Sequence, residues 1–213
     1  MTSATCPRGL VVFSPDFRIK LTLATPDEDE AVSKLRSIPS VRKHMPFLPT
    51  LTKDEAEITR IRRAEDPSLL DVLIFVRTPL YNSKGREDGS SYTFAGVANV
   101  MGLGDENHGE VGIIIAPEFQ GKGVTTPVLY TFLKYLFEHR KLRRVMFETS
   151  TQNKPMIGWL EKAAGLRCER IREGEWKSES GPIDVRSYAI TGEEWGGVRN
   201  ELERKMGTKK ISW

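Results

Sequence analysis

Cysteine and histidine are scarce in this chain, with two of the first and three of the second among 213 residues. Cys6 and Cys168 stand alone, and the histidines are scattered, so neither a disulfide framework nor a zinc site with ligand spacing can be built. No metal is expected, and two reduced thiols in an intracellular protein is the plain reading. No apolar run approaches the ~18–20 residues of a membrane helix. Met1 to Arg8 carries no long apolar stretch behind a basic start, so a secretory signal is not expected either. The expectation is a cytoplasmic protein with no membrane partner. A formal charge of +3 is too small to argue for nucleic acid, and no RGG, RNP-like or finger pattern adds to it. Internal repeats and low-complexity linkers are missing as well.

What is present is ordinary globular composition, 38% hydrophobic and 29% charged, in a length that suits one large domain. The expectation is a single domain over 1–213, with a core at about 15–190 and a C-terminal amphipathic helix at about 191–206. Phe17–Leu23 alternates as a half-buried strand. Thr25, followed by Pro26 and three acids, predicts a helix start with Thr25 as N-cap, ending near Ser37 ahead of Pro39. Val41–Pro49 is a turn-rich connector. Thr52 with Glu55 forms a capping-box pattern that predicts a second helix to about Ala64. Asp71–Arg77 and Tyr92–Met101 are β-rich runs, and Tyr81–Ser91 between them reads as a long, exposed hairpin loop. Gly109–Ile115 follows as another strand.

Thr125–His139 carries the best helical periodicity, with Val128, Leu129, Phe132, Leu133, Leu136 and Phe137 on one face. Arg144–Thr149 is a buried strand, Pro155–Ala164 a short helix stopped by Gly165, and Leu166–Glu175 with Ile183–Ile190 a closing hairpin. Trp195, Val198, Leu202 and Met206 mark the last helix. The single crossover through Thr125–His139 joins strands expected to be parallel. The fold class predicted is α+β: a mixed, mainly antiparallel sheet with helices on both faces.

The most informative stretch runs from Glu110 to Thr126. A strand ends at Pro117, a turn with two glycines follows, and the strongest helix begins at Thr125. Such a junction points free N–H groups outward at the positive end of a helix dipole, where anions bind. Gly121 and Gly123 let backbone approach a phosphate, and Lys122 adds charge. A structural turn uses the same residues. Neither a nucleotide P-loop nor a dinucleotide fingerprint fits the spacing.

Gln120–Thr125 (QGKGVT) matches the Q/R-x-x-G-x-G/A pyrophosphate loop of the GNAT superfamily, with Thr125 departing from the last small position. Glu110-Val-Gly, Ala116-Pro-Glu-Phe, Phe147-Glu148 with Asn153, and Leu160 through Gly165-Leu166 resemble the branch of ribosomal-protein N-terminal acetyltransferases. Phe17–Leu23, Val41–Pro46 and the Trp176, Asp184, Tyr188 hairpin extend the resemblance over about 15–205. It implies a GNAT acyl-CoA N-acyltransferase fold in which the strand before the loop splays from its parallel neighbour. Acetyl-CoA then lies in the gap, its pantetheine paired with main-chain groups of Ile113 and Ile115. Gln120, Gly121, Lys122, Gly123, Val124, Thr125 and Thr126 form the pyrophosphate loop. Asn153 either reaches the cofactor or simply caps the short helix.

The activity implied is transfer of an acetyl group to a primary amine, on a protein N-terminus or a small molecule, in a ternary complex. Glu148 matches a glutamate that deprotonates the amine in some relatives, and Glu110 is the second candidate base; a salt-bridged or solvated carboxylate is the structural reading of each. On the thiolate side Met156 and Leu160 occupy the slots of a serine and a tyrosine, and Ala163-Ala164 lengthens the approach to Gly165 by one residue. A non-catalytic acyl-CoA-binding module is the alternative reading, and a monomer or homodimer is expected. The charge run Arg140–Arg144 reads as a solvated turn, and Trp159, Trp176 and Tyr188 as packing residues.

Overall fold

Short alternating apolar runs pair into one eight-stranded sheet in the computed structural model, which describes residues 9–84, 87–104, 106–178 and 181–207. Cys6 lies outside these residues; Cys168 is a free, half-buried thiol. The strands are β1 (Val11–Phe13), β2 (Ile19–Thr22), β3 (Leu69–Tyr81), β4 (Glu87–Met101), β5 (His108–Ile115), β6 (Arg144–Ser150), β7 (Arg170–Ser178) and β8 (Gly181–Thr191). Their spatial order is β1-β2-β3-β4-β5-β6-β8-β7, and every pairing is antiparallel except β5 with β6. That parallel step is the crossover expected from the sequence.

The helices are α1 (Asp29–Ser37), α2 (Pro39–Arg42), α3 (Lys53–Ala64), α4 (Thr125–Lys134), α5 (Lys154–Gly158) and α6 (Gly192–Met206). They cover both faces. On one face, Ile19, Leu21, Leu70, Val72, Ile74, Val100, Val111 and Val145 pack with Val128, Leu129 and Phe132 of α4, with Leu136 just past its end, and with Trp195 and Leu202 of α6. On the other, Ile114 and Val97 pack with Leu35 of α1 and Val41 of α2. Among the described residues no helix is long and apolar enough to cross a membrane.

Two threonines with the same spacing to a glutamate behave differently. Thr52 accepts from the Glu55 amide while the Glu55 carboxylate takes the Thr52 amide, so the capping box closes and α3 starts where expected. Thr25 caps nothing. Its hydroxyl donates to the Glu28 carboxylate at 2.6 Å, and Pro26–Glu28 makes a 3₁₀ turn before α1 begins at Asp29. The expected long loop at Tyr81–Ser91 is also corrected. The β3–β4 ladder continues through Thr78↔Ser91 and Pro79↔Ser90 to Tyr81↔Glu87. Backbone pairing needs no apolar side chains, so a polar stretch extended the hairpin beyond what periodicity could show. The closing hairpin begins at Arg170 rather than Leu166.

Two π turns extend the crossover helices. Tyr135–His139 prolongs α4, with Arg140 N donating to Tyr135 O at 3.0 Å, and Trp159–Ala163 prolongs α5, with Ala164 N donating to Trp159 O at 3.0 Å. The second absorbs the additional residue at Ala163-Ala164 as one wide turn, leaving Gly165 at φ 71° to end the helix.

Candidate active site

The parallel ladder between β5 and β6 stops early. It joins His108↔Arg144, Gly109↔Val145 and Glu110↔Met146, yet β5 runs on to Ile115 and β6 to Ser150. Beyond Glu110 the two strands part. Ala116 N donates to Ala95 O on β4, and main-chain groups alternate sides along a strand. Those of Ile113 and Ile115 therefore face the gap. Gly96 helps hold β5 in this path: it sits at φ 149° beside a register shift in β4, and a Cβ there would lie 2.0 Å from Ile114 O.

The gap opens into a cleft of about 1120 Å³. At one end it reaches the turn before α4. Gly121 and Gly123 sit at φ 71° and 74°, the left-handed region that favours glycine, and a Cβ at either would meet no protein atom within 4 Å. No side chain caps the start of α4, so its first amides point into the cleft at the positive end of the helix. Gln120, Gly121, Gly123, Thr125 and Thr126 line the cleft; Lys122 and Val124 do not contribute side chains to it. Val124 is buried in the core, and Lys122 is exposed.

The Gln120 side chain turns back to the strand, its Nε2 donating to Ile115 O at 2.8 Å. Thr126 Oγ1 accepts from Trp159 Nε1 at 3.2 Å, tying the loop to α5. Asn153 lines the cleft and caps α5 at once: its carbonyl accepts from Met156 N, and its amide donates to Thr149 Oγ1 at 3.0 Å. Met156 lines the cleft, while Leu160 is fully buried. Trp159 and Tyr188 are core residues, as expected. Trp176 does more than pack its hairpin: it meets Phe47 edge-on at 4.9 Å, and both rings line the cleft mouth.

Glu110 and Glu148 project from the same sheet face. Glu110 pairs with Met146, and Glu148 lies two residues further along β6. They differ in surroundings. Glu148 forms an ion pair with Arg172 of β7 at 2.6 Å and sits 3.4 Å from the Ser187 hydroxyl. Among the described residues Glu110 has no such partner. Burial pushes the Glu110 carboxyl above the usual carboxylate range, the charge of Glu148 adds to this, and Arg172 partly opposes it. Both residues line the cleft.

This face also carries polar residues that were not singled out from sequence. Arg63 of α3 grips Asp71 through Nε and Nη2 at 2.6 and 2.7 Å, and Arg60 grips Asp29 at 2.8 and 2.9 Å. Asp71 pairs with Asn99 across β3 and β4, and Asn99 with Gly112 across β4 and β5, so these residues form one row on the face that carries Glu110. Charged or amide residues inside otherwise apolar strands were the available signal. Among the described residues no group of three or more His, Cys, Asp or Glu is arranged to hold a metal ion.

A sheet forked between two parallel strands, opening onto a glycine turn at a helix start, is the architecture that the GNAT resemblance implies. The description "Acetyltransferase (GNAT) domain" matches residues 18–165, and the chain belongs to this family of acetyl-CoA-dependent N-acetyltransferases. YdaF of Bacillus subtilis (strain 168), a candidate ribosomal N-acetyltransferase by name, is 28% identical over 144 residues, 64% of this chain and 78% of its own. Among solved structures, Mycobacterium smegmatis RimJ in complex with CoA-disulfide superposes with a TM-score of 0.73 at 17% identity, over 96% of each chain. The spermidine N-acetyltransferase of Vibrio cholerae in complex with CoA and spermine gives 0.71 at 17% identity, over 84% of this chain and 98% of the other. At such identities these two likenesses speak for the fold alone.

Proposed function

We propose that the chain carries acetyl-CoA in the fork and transfers its acetyl group to a primary amine presented over Glu110. The observation that carries this reading is the early end of the β5–β6 ladder, which leaves main-chain groups facing a cleft that leads to uncapped helix amides. Ile113 and Ile115 offer their amide and carbonyl edges to the pantetheine, with one lone pair of Ile115 O already taken by Gln120. Gly121 to Thr126 hold the pyrophosphate through main-chain donors, Lys122 supplies outer charge, and Asn153 keeps a second amide hydrogen for the cofactor while capping α5. Acetyl-CoA brings an already activated thioester, so orientation supplies much of the rate.

An amine must be neutral to attack, and the proton it sheds needs a base. Glu110 suits this role better than Glu148, because it is half-buried, free of a cation of its own and shifted toward neutrality. Glu148, engaged by Arg172, acts on Glu110 through its charge. The α5 slots hold Met156 and Leu160, so departure of the thiolate relies on backbone amides or water rather than on a hydroxyl from that helix. YdaF carries the name of a ribosomal N-acetyltransferase and the Vibrio cholerae structure that of a spermidine N-acetyltransferase, so a protein N-terminus is one acceptor class and a small amine the other. Free-thiol release from acetyl-CoA across panels of peptide N-termini, amino acids and polyamines tests the reading. Turnover with one class supports it. CoA binding with silence across all three would favour a non-catalytic acyl-CoA-binding module.

A further inference from the structure

Cations outnumber acids on the acceptor side of the cleft. Four arginines line it from α1 and α3, namely Arg36, Arg60, Arg62 and Arg63, against two acids, Asp29 and Asp71, and of the four Arg62 is exposed. Arg60 and Arg63 are each spent on one acid in two-pronged contacts. Arg36 has no hydrogen bond or ion pair among the described residues, and its Nε is shut off from solvent without an acceptor. The Nε groups of Arg172, Arg186 and Arg199 are buried without a hydrogen-bond acceptor as well, but each of those guanidiniums holds an acid through another nitrogen; Arg36 holds none. Burial, together with the nearby Arg63, also lowers the Arg36 guanidinium below its ordinary value, although such a group stays charged. The Nδ1 of His44, on the connector over the same cleft, is likewise buried and unpartnered, and Lys43 lines the rim.

We infer that the acceptor is an amine bearing a carboxylate, and that Arg36 is the specificity residue that binds this carboxylate through its free guanidinium edge. This rests on the amine-acetylation reading above. The planar fork of arginine matches a carboxylate in a two-pronged contact, which the two Nη groups of Arg36 can make from the cleft. Spacing sets the acceptor's length. Asp71, beside Arg36 and Arg63, lies two strands (~9.6 Å) across and two residues (~6.6 Å) along from Glu110, so the cation stands roughly 12 Å from that carboxyl. An extended chain covers ~3.3–3.6 Å per residue, so about three to four residues separate amine from carboxylate. Trialanine has that span, and so does a longer N-terminus with glutamate at its third position.

Two matched pairs test this: trialanine against trialanine amide, and an amidated heptapeptide beginning Ala-Ala-Glu against the same peptide beginning Ala-Ala-Gln. Binding to the CoA-loaded protein is measured by calorimetry, and turnover by thiol release, for the wild type and for Arg36→Gln. The anionic member of at least one pair is expected to bind roughly 10- to 100-fold more tightly and to show KM lower by the same factor, as a charge-assisted contact implies. A preference confined to the first pair identifies a terminal carboxylate, and one confined to the second a side-chain carboxylate in a protein N-terminus. Arg36→Gln should erase the preference while kcat for the neutral peptides and CoA affinity stay within about twofold. Equal binding within both pairs, or a preference that survives Arg36→Gln, overturns the inference. A carboxylate preference in binding without any thiol release would uphold the role of Arg36 and count against acetyl transfer itself.

Discussion

The two ends of the cleft are built on different principles. At the cofactor end, backbone does the work: two glycines in left-handed conformations, the uncapped start of α4, and strand edges freed where β5 and β6 part. At the acceptor end, side chains do it, brought together from α1, α3, β3, β5, β6 and β7. The first end lies within residues 110–126 and survives changes of side chain wherever glycine is not demanded. The second is assembled from positions that are far apart in sequence. On the proposed reading the first end holds the cofactor and the second selects the acceptor.

This contrast can be broken most forcefully at Gly123. A Gly123→Val variant forces a branched residue to φ near 74° and sends its side chain toward the space the phosphates would need. CoA affinity should fall about 100-fold or more, with thermal stability reduced by only a few degrees, because no protein atom is struck. Equilibrium titration beside a melting curve distinguishes loss of the site from loss of the fold. Glu110→Gln should next lower kcat/KM by about 100-fold, within the range of general-base contributions, while CoA binding stays intact.

The pH profile separates the two carboxylates further. Glu110 must be ionised to accept a proton, and its carboxyl is raised, so the wild-type rate should climb with pH through that raised value. The same shift has a stability consequence. A carboxyl raised in the folded state contributes stability that is complete below its unfolded pKa and lost as pH rises through the folded one. Glu110→Gln should therefore melt higher than wild type at pH 8 and lose that advantage toward pH 4. Glu148→Gln removes a charge that raises Glu110, so the rising limb of the rate should move to lower pH, with a smaller loss of rate, about tenfold. The smallest effect is expected at Lys122: Lys122→Ala should weaken CoA binding only a few-fold, and less so as salt is added, because the residue is exposed.

Legibility followed the same division. The loop Gln120–Thr126 and the helix behind it were readable because backbone demands of this kind select particular residue types in a contiguous run. Capping at Thr52 was readable too, whereas Thr25, with its glutamate at the same spacing, engaged that carboxylate through its hydroxyl and left α1 without a cap. A threonine–glutamate spacing states a possibility, and the local turn decides it. The extended β3–β4 hairpin escaped notice because polar strands carry no alternation of burial. The site roles of Arg36, Asp71, Asn99 and Arg172 escaped notice because side chains brought together from distant elements leave no periodic trace. Between Glu110 and Glu148, sequence favoured the latter, and only the cross-sheet neighbour Arg172 changes the order.

Amide hydrogen exchange with and without CoA addresses the central claim most directly. If a forked sheet grips the cofactor by backbone, CoA should slow exchange at residues 113–115 and 121–126, with little change in β7 and β8. Unaltered exchange at the glycine turn in the presence of saturating CoA, or protection confined to the β7–β8 hairpin, would contradict it.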